Sequence, residues 1–408
     1  MANPGVSPEV SPGTLPDDVY SRKLGVWRDS ARRILLISIQ WETTLIAKAQ
    51  ERLRSPFLDS YFRLSALLGT PTFFEAIISL FFLFGQPDAG RGLLHVLGAG
   101  GYLASLIKDL LCVPRPYSPP VVRLTIGNHH LEYGFPSTHA TNSVSATLYL
   151  CALIRQAQIS PELSYIATTI LAIYMGSVVL GRIYCGMHST LDCVAGAILG
   201  TFAWAMQLRY GQWLEDWMTT SGLTVPAIML SLWAFLMFNH PSTVENCLCF
   251  DDAIACLSTI VGTTIARWGS ATLMFPARLS PSRSWPSAVH WATYLVVPAK
   301  VVIAFSCLAL WRAMIKTLLP NLLESIHPVF ARHPQPDSYA KKPNGMHPTS
   351  ASSSPSEQNR SNAKVPGTAV NISPFSANQV IVKTVVYFGI GWLGSEILPA
   401  FFERLGWS

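Results

Sequence analysis

The sequence predicts an all-α protein, a polytopic transmembrane helical bundle of eight or nine spans. Charged residues make up 13% of the chain, against about 25% in an ordinary soluble domain. Half of the residues are apolar, and they gather in runs close to the roughly 20 residues that cross a bilayer. The opening "MANPGVSPEVSPGTLPDDVY" has no basic segment leading into an apolar one, so no cleavable signal peptide is expected and the first span is expected to direct insertion.

Taken in order, residues 1–60 read as an N-terminal tail on the cytosolic or luminal side. Within it, "ILLISIQWETTLIA" is too short to cross and carries Glu42, which predicts an amphipathic helix lying in the interface. Residues 61–210 hold five spanning runs, 64–84, 92–111, 137–153, 163–180 and 189–206, and form the predicted catalytic core. Residues 211–332 add runs at 223–238 and 291–311, with 253–266 short enough to be either a span or a re-entrant segment. Residues 333–378, rich in Ser, Pro, Asn and Lys, predict a disordered linker. A last transmembrane helix falls within 379–408, over 380–398.

The net charge of +6 fits cytoplasmic loops near anionic lipid better than a nucleic-acid partner. The eight cysteines are scattered. Cys247 and Cys249 are the one close pair, without a second pair or a histidine at zinc-site spacing, so neither a disulfide framework nor a metal site is expected.

Three polar clusters stand against this apolar background. In "KDLLCVPRP", Lys108 lies on the last turns of a run, Pro114 stops the helix, and Arg115 begins a loop. Basic residues at a span end are ordinarily interfacial anchors. In "FPSTHATNS", Pro136 and Ser137 suit a helix N-terminus, where free N–H groups attract an anion, with His139 just inside. In "GRIYCGMHSTLD", Arg182 precedes His188, and Asp192 lies four residues beyond the histidine on one helical face. There the carboxylate can accept from imidazole Nδ1–H and leave Nε2 as nucleophile or base; the plain alternative is a polar helix cap.

Counting spans puts all three clusters on one side of the membrane. Three cations, a serine at a helix start, two histidines and an aspartate converge there, a grouping suited to a phosphate dianion. No carboxylate pair for a divalent metal accompanies them, so the cations would supply the neutralisation.

Lys108 with Arg115-Pro116, Pro136-Ser137-Thr138-His139, and Arg182 with His188 and Asp192 resemble, in order and spacing, the three signature motifs of the type 2 phosphatidic acid phosphatase (PAP2) superfamily. The resemblance covers roughly 64–207. Thr138, "RPYSPPVVRL", "GMHSTLD" and the extra spans after the motifs are similar to its sphingosine-1-phosphate, or long-chain base phosphate, phosphatase branch.

The resemblance implies hydrolysis of lipid phosphate monoesters such as sphingosine-1-phosphate, dihydrosphingosine-1-phosphate and phytosphingosine-1-phosphate, with no cofactor or metal. Lys108, Arg115, Ser137 and Arg182 would bind the phosphate. His188, oriented by Asp192, would form a phosphohistidine, and His139 would protonate the leaving alkoxide and then activate water. The family serine before the motif arginine is Gly181 here: either a phosphate-binding hydroxyl is missing, or the backbone needs glycine there. Competing readings are a phosphatidate phosphatase, a lipid phosphotransferase, and a catalytically silent lipid-binding or transport protein.

Arg91, Arg155, Arg209 and, if the short run crosses, Arg267, Arg278 and Arg283 lie opposite the clusters, whose own face has mainly Arg123, which predicts a luminal site. Parity then puts Arg22, Lys23, Arg32 and Arg33 of the N-terminal segment in the lumen too, against the charge rule. An endoplasmic reticulum location follows from the resemblance. The expected partners are a lipid phosphate and membrane lipids.

Overall fold

In the computed structural model, the described residues 11–124, 131–245, 247–274, 291–326 and 377–407 are helical with short connections and contain no strand. Local sequence sets many of the helix starts. Ser55, Thr70 and Ser160 each accept from a backbone N–H of the first turn and are followed by proline, the pairing that suits N-cap and first helical position. They open α3 (Pro56–Leu67), α4 (Pro71–Leu83) and α7 (Pro161–Tyr184). The order is completed by α1 (Asp17–Lys23), α2 (Val26–Leu53), α5 (Pro87–Leu111), α6 (Thr138–Gln156) and α8 (Thr190–Thr220). Then follow α9 (Thr224–Phe238), α10 (Cys249–Gly269), α11 (Trp291–Ile326), α12 (Ala377–Trp392) and α13 (Leu398–Arg404).

Among the described residues, five helices can cross a membrane by length and composition, α7, α8, α10, α11 and the α12–α13 segment, and a sixth is gained if α3 and α4 count as one span bent by 52°. This is below the predicted eight or nine. The run 64–84 straddles the α3–α4 bend. α9 has only 15 residues. α5 carries several glycines, and both α5 and α6 turn polar groups inward, among them His95, Ser105, Asn142 and Ser143, which lowers their hydropathy without exposing those groups to lipid. The run 253–266 belongs to the longer α10, so the re-entrant alternative falls.

Contacts at the helix ends define two faces. At one, Arg91 of α5 is buried among Asp88, Glu215 of α8 and Glu396 beyond α12, and Arg267 of α10 lies 3.8 Å from Glu215. At the other, His240 after α9 lies 2.9 Å from Asp109 at the end of α5, and Asp251 at the start of α10 pairs with Lys383 of α12.

α2 lies across this second face. Near its start Arg28 donates to the carbonyls of Asp109 and Leu110, and near its end Gln50 donates to those of Val122 and Tyr184. It buries Leu36, Ile39 and Ile46 and exposes Ile34, Ile37 and Trp41. Buried Arg32 donates to the carbonyls of Gly13 and Cys112 and pairs with Asp17. Of the four cations that argued against this placement, Arg32 is thus neutralised by two carbonyls and a carboxylate, and Arg22 and Arg33 pair on the surface with Asp18 and Asp29.

Contrary to the expectation from cysteine spacing, Cys247 and Cys249 form a disulfide. They pack with Tyr20, Leu24, Cys112, Tyr133 and Val244. Arg278 and Arg283 lie outside the described residues, as does the predicted linker, 333–378, except for Ala377 and Asn378, which open α12.

Candidate active site

The second and third motifs are brought together by two glycines. Gly196 and Gly200, one turn apart on α8, face α6 so closely that a Cβ would stand 2.5 Å from the Ser137 carbonyl oxygen and 2.3 Å from that of Thr141. Only a side chain of one hydrogen permits this approach, the small-xxx-small packing of membrane helices. The Ser137 N–H then donates to the Asp192 carbonyl at 3.0 Å. Ser137 caps α6, its Oγ accepting from Ala140 N–H.

α8 opens with a capping box: Ser189 Oγ accepts from Asp192 N–H, and Asp192 Oδ2 accepts from Ser189 N–H. The next two amides, of Thr190 and Leu191, donate to the Glu42 carboxylate on α2. Glu42 therefore closes the start of the helix that bears Asp192, and its negative charge suits the positive end of that helix. In the sequence it read only as a blemish in an apolar stretch.

His188 is 1% exposed. Its Nδ1 donates to the Gly134 carbonyl at 2.9 Å, which leaves Nε2 as the acceptor for Arg115 Nη1 at 2.8 Å. Asp192 Oδ2 stands 3.6 Å from Nδ1, too far for a hydrogen bond. The tautomer is thus fixed by a backbone carbonyl, and the carboxylate adds negative potential behind the ring while serving the capping box. Burial, then Arg115, Arg182, Lys108 and His139, push the His188 pKa well below that of a free imidazole.

Arg115 is held by its surroundings: Nε donates to the Glu132 carbonyl at 3.0 Å and Nη1 to that of Met187 at 2.8 Å. Lys108 Nζ donates to Glu132 Oε2 at 2.6 Å, and Arg115 Nη2 lies 3.7 Å from the same oxygen. Arg182 differs. It is buried, and its Nε and Nη2 have no hydrogen-bond partner among the described residues. Buried guanidinium N–H groups without an acceptor are costly, and an anion at this corner would supply the acceptors.

His139 is buried at the α6 start, and Gly69, in the bend between α3 and α4, gives it room: a Cβ there would stand 2.7 Å from the ring carbon Cδ2. Gly181 points elsewhere. It is helical rather than of positive φ, and a Cβ on it would meet Phe62 of α3 at 3.0 Å and Ser65 Oγ at 3.3 Å. The glycine is a helix–helix contact. The idea of a missing phosphate-binding hydroxyl finds no support in that direction.

The seven predicted residues therefore share one buried region at one face, linked through Arg115, His188 and the α6–α8 contact. Sequence reasoning missed Glu132, Glu42 and the Gly134 carbonyl. Glu132 carried a signal, a carboxylate four residues before Pro136, whereas Glu42 lies far away in the chain and Gly134 acts through its backbone.

Cations and an imidazole buried together at one face of a membrane helical bundle define a membrane enzyme that handles phosphate. Residues 89–216 match the PAP2 superfamily. The chain is 30% identical over 386 residues to a dihydrosphingosine 1-phosphate phosphatase of Schizosaccharomyces pombe, covering 92% of this chain and 91% of that protein. It is 27% identical over 281 residues to sphingosine-1-phosphate phosphatase 2 of Homo sapiens, covering 67% and 68%. The crystal structure of Aquifex aeolicus LpxE aligns with 41% of this chain and 94% of its own at 22% identity, with a TM-score of 0.35. The chain belongs to the PAP2 superfamily.

Proposed function

We propose that the protein dephosphorylates long-chain base phosphates, dihydrosphingosine and sphingosine 1-phosphate foremost, through a phosphohistidine and without a metal. Likeness to the fission yeast phosphatase along nine-tenths of both chains carries the substrate class. Buried Arg182, two of whose nitrogens have no hydrogen-bond partner among the described residues, supports the phosphate seat.

In this reading the phosphate enters among Lys108, Arg115, Arg182, Ser137 and the α6 N-terminus. Its oxygens take up Arg115 Nη1, which uncovers the His188 Nε2 lone pair. Nε2 attacks phosphorus as the ester P–O bond breaks, and His139 gives a proton to the departing alkoxide. The imidazole, now carrying positive charge, keeps its Nδ1–H on the Gly134 carbonyl with Asp192 behind it. His139 next takes a proton from water, whose oxygen displaces Nε2 and releases inorganic phosphate.

The site is proposed to face the lumen of the endoplasmic reticulum. The Cys247–Cys249 disulfide packs on that face beside Cys112 and Tyr133, and disulfides persist in oxidising compartments.

The test is phosphate release by purified protein from dihydrosphingosine 1-phosphate and phosphatidate side by side, with and without chelator. Preference for the former, undiminished by chelator and abolished in His188→Ala, is expected. Full activity of His188→Ala, or loss with chelator, would overturn the mechanism; equal or greater turnover of phosphatidate would overturn the substrate.

A further inference from the structure

The buried side of α2 holds the backbone beside the first and third motifs. Thr43 Oγ1 accepts from the N–H of Tyr117, which follows Arg115-Pro116. The Glu42 carboxylate accepts from the N–H groups of Thr190 and Leu191, between His188 and Asp192. Farther along, Gln50 accepts from Val122 N–H and donates to the Tyr184 carbonyl, both at 2.9 Å, and so ties the first-motif loop to the end of α7. Glu42, Thr43, Ile46 and Gln50 are all buried, as one helical side pressed on the bundle should be.

The outer side divides into two flanks. Ile34, Ile37, Trp41 and Leu45 follow one another at spacings of three and four residues and are 69%, 70%, 67% and 43% exposed. Arg33, Gln40 and Thr44, also exposed, run along the edge of that line. The bonds of α2 fix its depth, since they reach the last residue of α7 and the first residues of α8, two helices long and apolar enough to span. α2 is therefore level with the span ends, where headgroups meet acyl chains. A helix at that depth has protein on one side, lipid on the second and water on the third, which matches its buried, apolar and polar flanks. A line of large apolar side chains would be out of place on a flank turned to water.

Resting on the proposed function, we propose that the apolar flank of α2 seats in the bilayer surface and that this seating holds Glu42 on the start of α8, so that the lipid surface completes the active site. Glu42 is then a positioning residue: it acts through the turn that joins His188 to Asp192. The partner of the exposed flank is the lipid surface itself.

The test has two arms. In the first, nitroxides are placed on Ile34→Cys and Gln40→Cys of the full chain in phosphatidylcholine vesicles, with the unsubstituted protein treated alike as background. The label at 34 is expected to relax with oxygen, which concentrates in lipid, and the label at 40 with a water-soluble nickel chelate. Nickel access at both, or spin–spin broadening at 34 from a second copy of the chain, would overturn the seating. Both positions are exposed, so this arm decides even if a buried variant fails to fold. In the second arm, kcat and KM in the same vesicles are measured for wild type, Glu42→Gln, Ile34→Asn/Trp41→Asn and the combination, on a long-chain base phosphate and on a short-chain one soluble as monomer. Glu42→Gln is expected to lower kcat about tenfold or more, the worth of a charge-assisted hydrogen bond, with KM little changed. The apolar-flank pair is expected to lower kcat on both substrates, and the combination to fall no further than Glu42→Gln alone, because both act through one contact. Additive losses would overturn the coupling, and so would a loss confined to the long-chain substrate, which would assign the flank to lipid entry. A wild type inactive on both base phosphates would instead overturn the proposed function, while the labels still decide the seating.

Discussion

At the scale of single residues, the behaviour of His188 follows from its neighbours. Burial and the cations around it hold its pKa well below the 6.5 of a free imidazole. Between the folded and unfolded values the unfolded chain binds more protons, so the stability contributed by the neutral ring is present above pH ~6.5 and declines as pH falls below it. The neutral nucleophile is likewise retained to lower pH. Removing one of the cations in Arg182→Gln is expected to raise the His188 pKa and move the acid limb of kcat/KM upward, toward pH ~6.5. The lipid phosphate titrates near pH ~6 with either enzyme, so the displacement between the two profiles reports His188, and a limb that stays in place or moves down would count against this account. Spacing marked Lys108, Arg115, Ser137, His139, Arg182, His188 and Asp192 as candidates, because each motif is local, and the structure buries all seven. Spacing failed on the partner of Nδ1, since a backbone carbonyl such as that of Gly134 has no side-chain signature.

Among the elements, the contacts between α3, α7, α6 and α8 are made by residues that look unremarkable in the sequence. Gly181 invited a chemical explanation and has a mechanical one: α3 passes too close for a side chain. Phe62 has little freedom to yield, because its ring lies between Tyr61 and Tyr184 at 5.0 and 4.6 Å. Both Gly181→Ala and Gly181→Ser are therefore expected to lower thermal stability in detergent, by an overpacking cost of about 1–3 kcal/mol, with activity per folded molecule no higher than wild type. A gain in kcat/KM for serine but not for alanine would restore the missing-hydroxyl reading. Helix existence was legible from apolar runs, whereas helix limits were not. The run 64–84 concealed a bend, and 253–266 is the middle of the longer α10, whose Asp251 and Asp252 hid its beginning from a search for apolarity.

For the whole molecule, the two faces settle how the second half of the chain is threaded. α10 runs from the site face toward Arg91 and Glu215, and α12 starts at the site face, where Lys383 meets Asp251. Residue 377 therefore emerges on the side of the active site. With that side luminal, the sequons at Asn359 and Asn371 are expected to carry glycans when the protein is made in cells, which an endoglycosidase shift abolished in Asn359→Gln/Asn371→Gln would report. Cleavage of this segment by protease added outside sealed microsomes would reverse the orientation. The helical membrane class was legible from composition, and the common side of the three motifs from counting runs, but the place of α2 was not, because nothing local links Glu42 to Thr190 or Gln50 to Tyr184. That link also separates two boundaries that are easily equated. The stretch that matches the superfamily is 89–216, yet the helix that bears Asp192 has its first turn completed by a carboxylate nearly fifty residues upstream of that stretch. A chain trimmed to that stretch would keep all seven motif residues and lose the carboxylate that receives the Thr190 and Leu191 amides, so the matched stretch is smaller than the set of residues that builds the site.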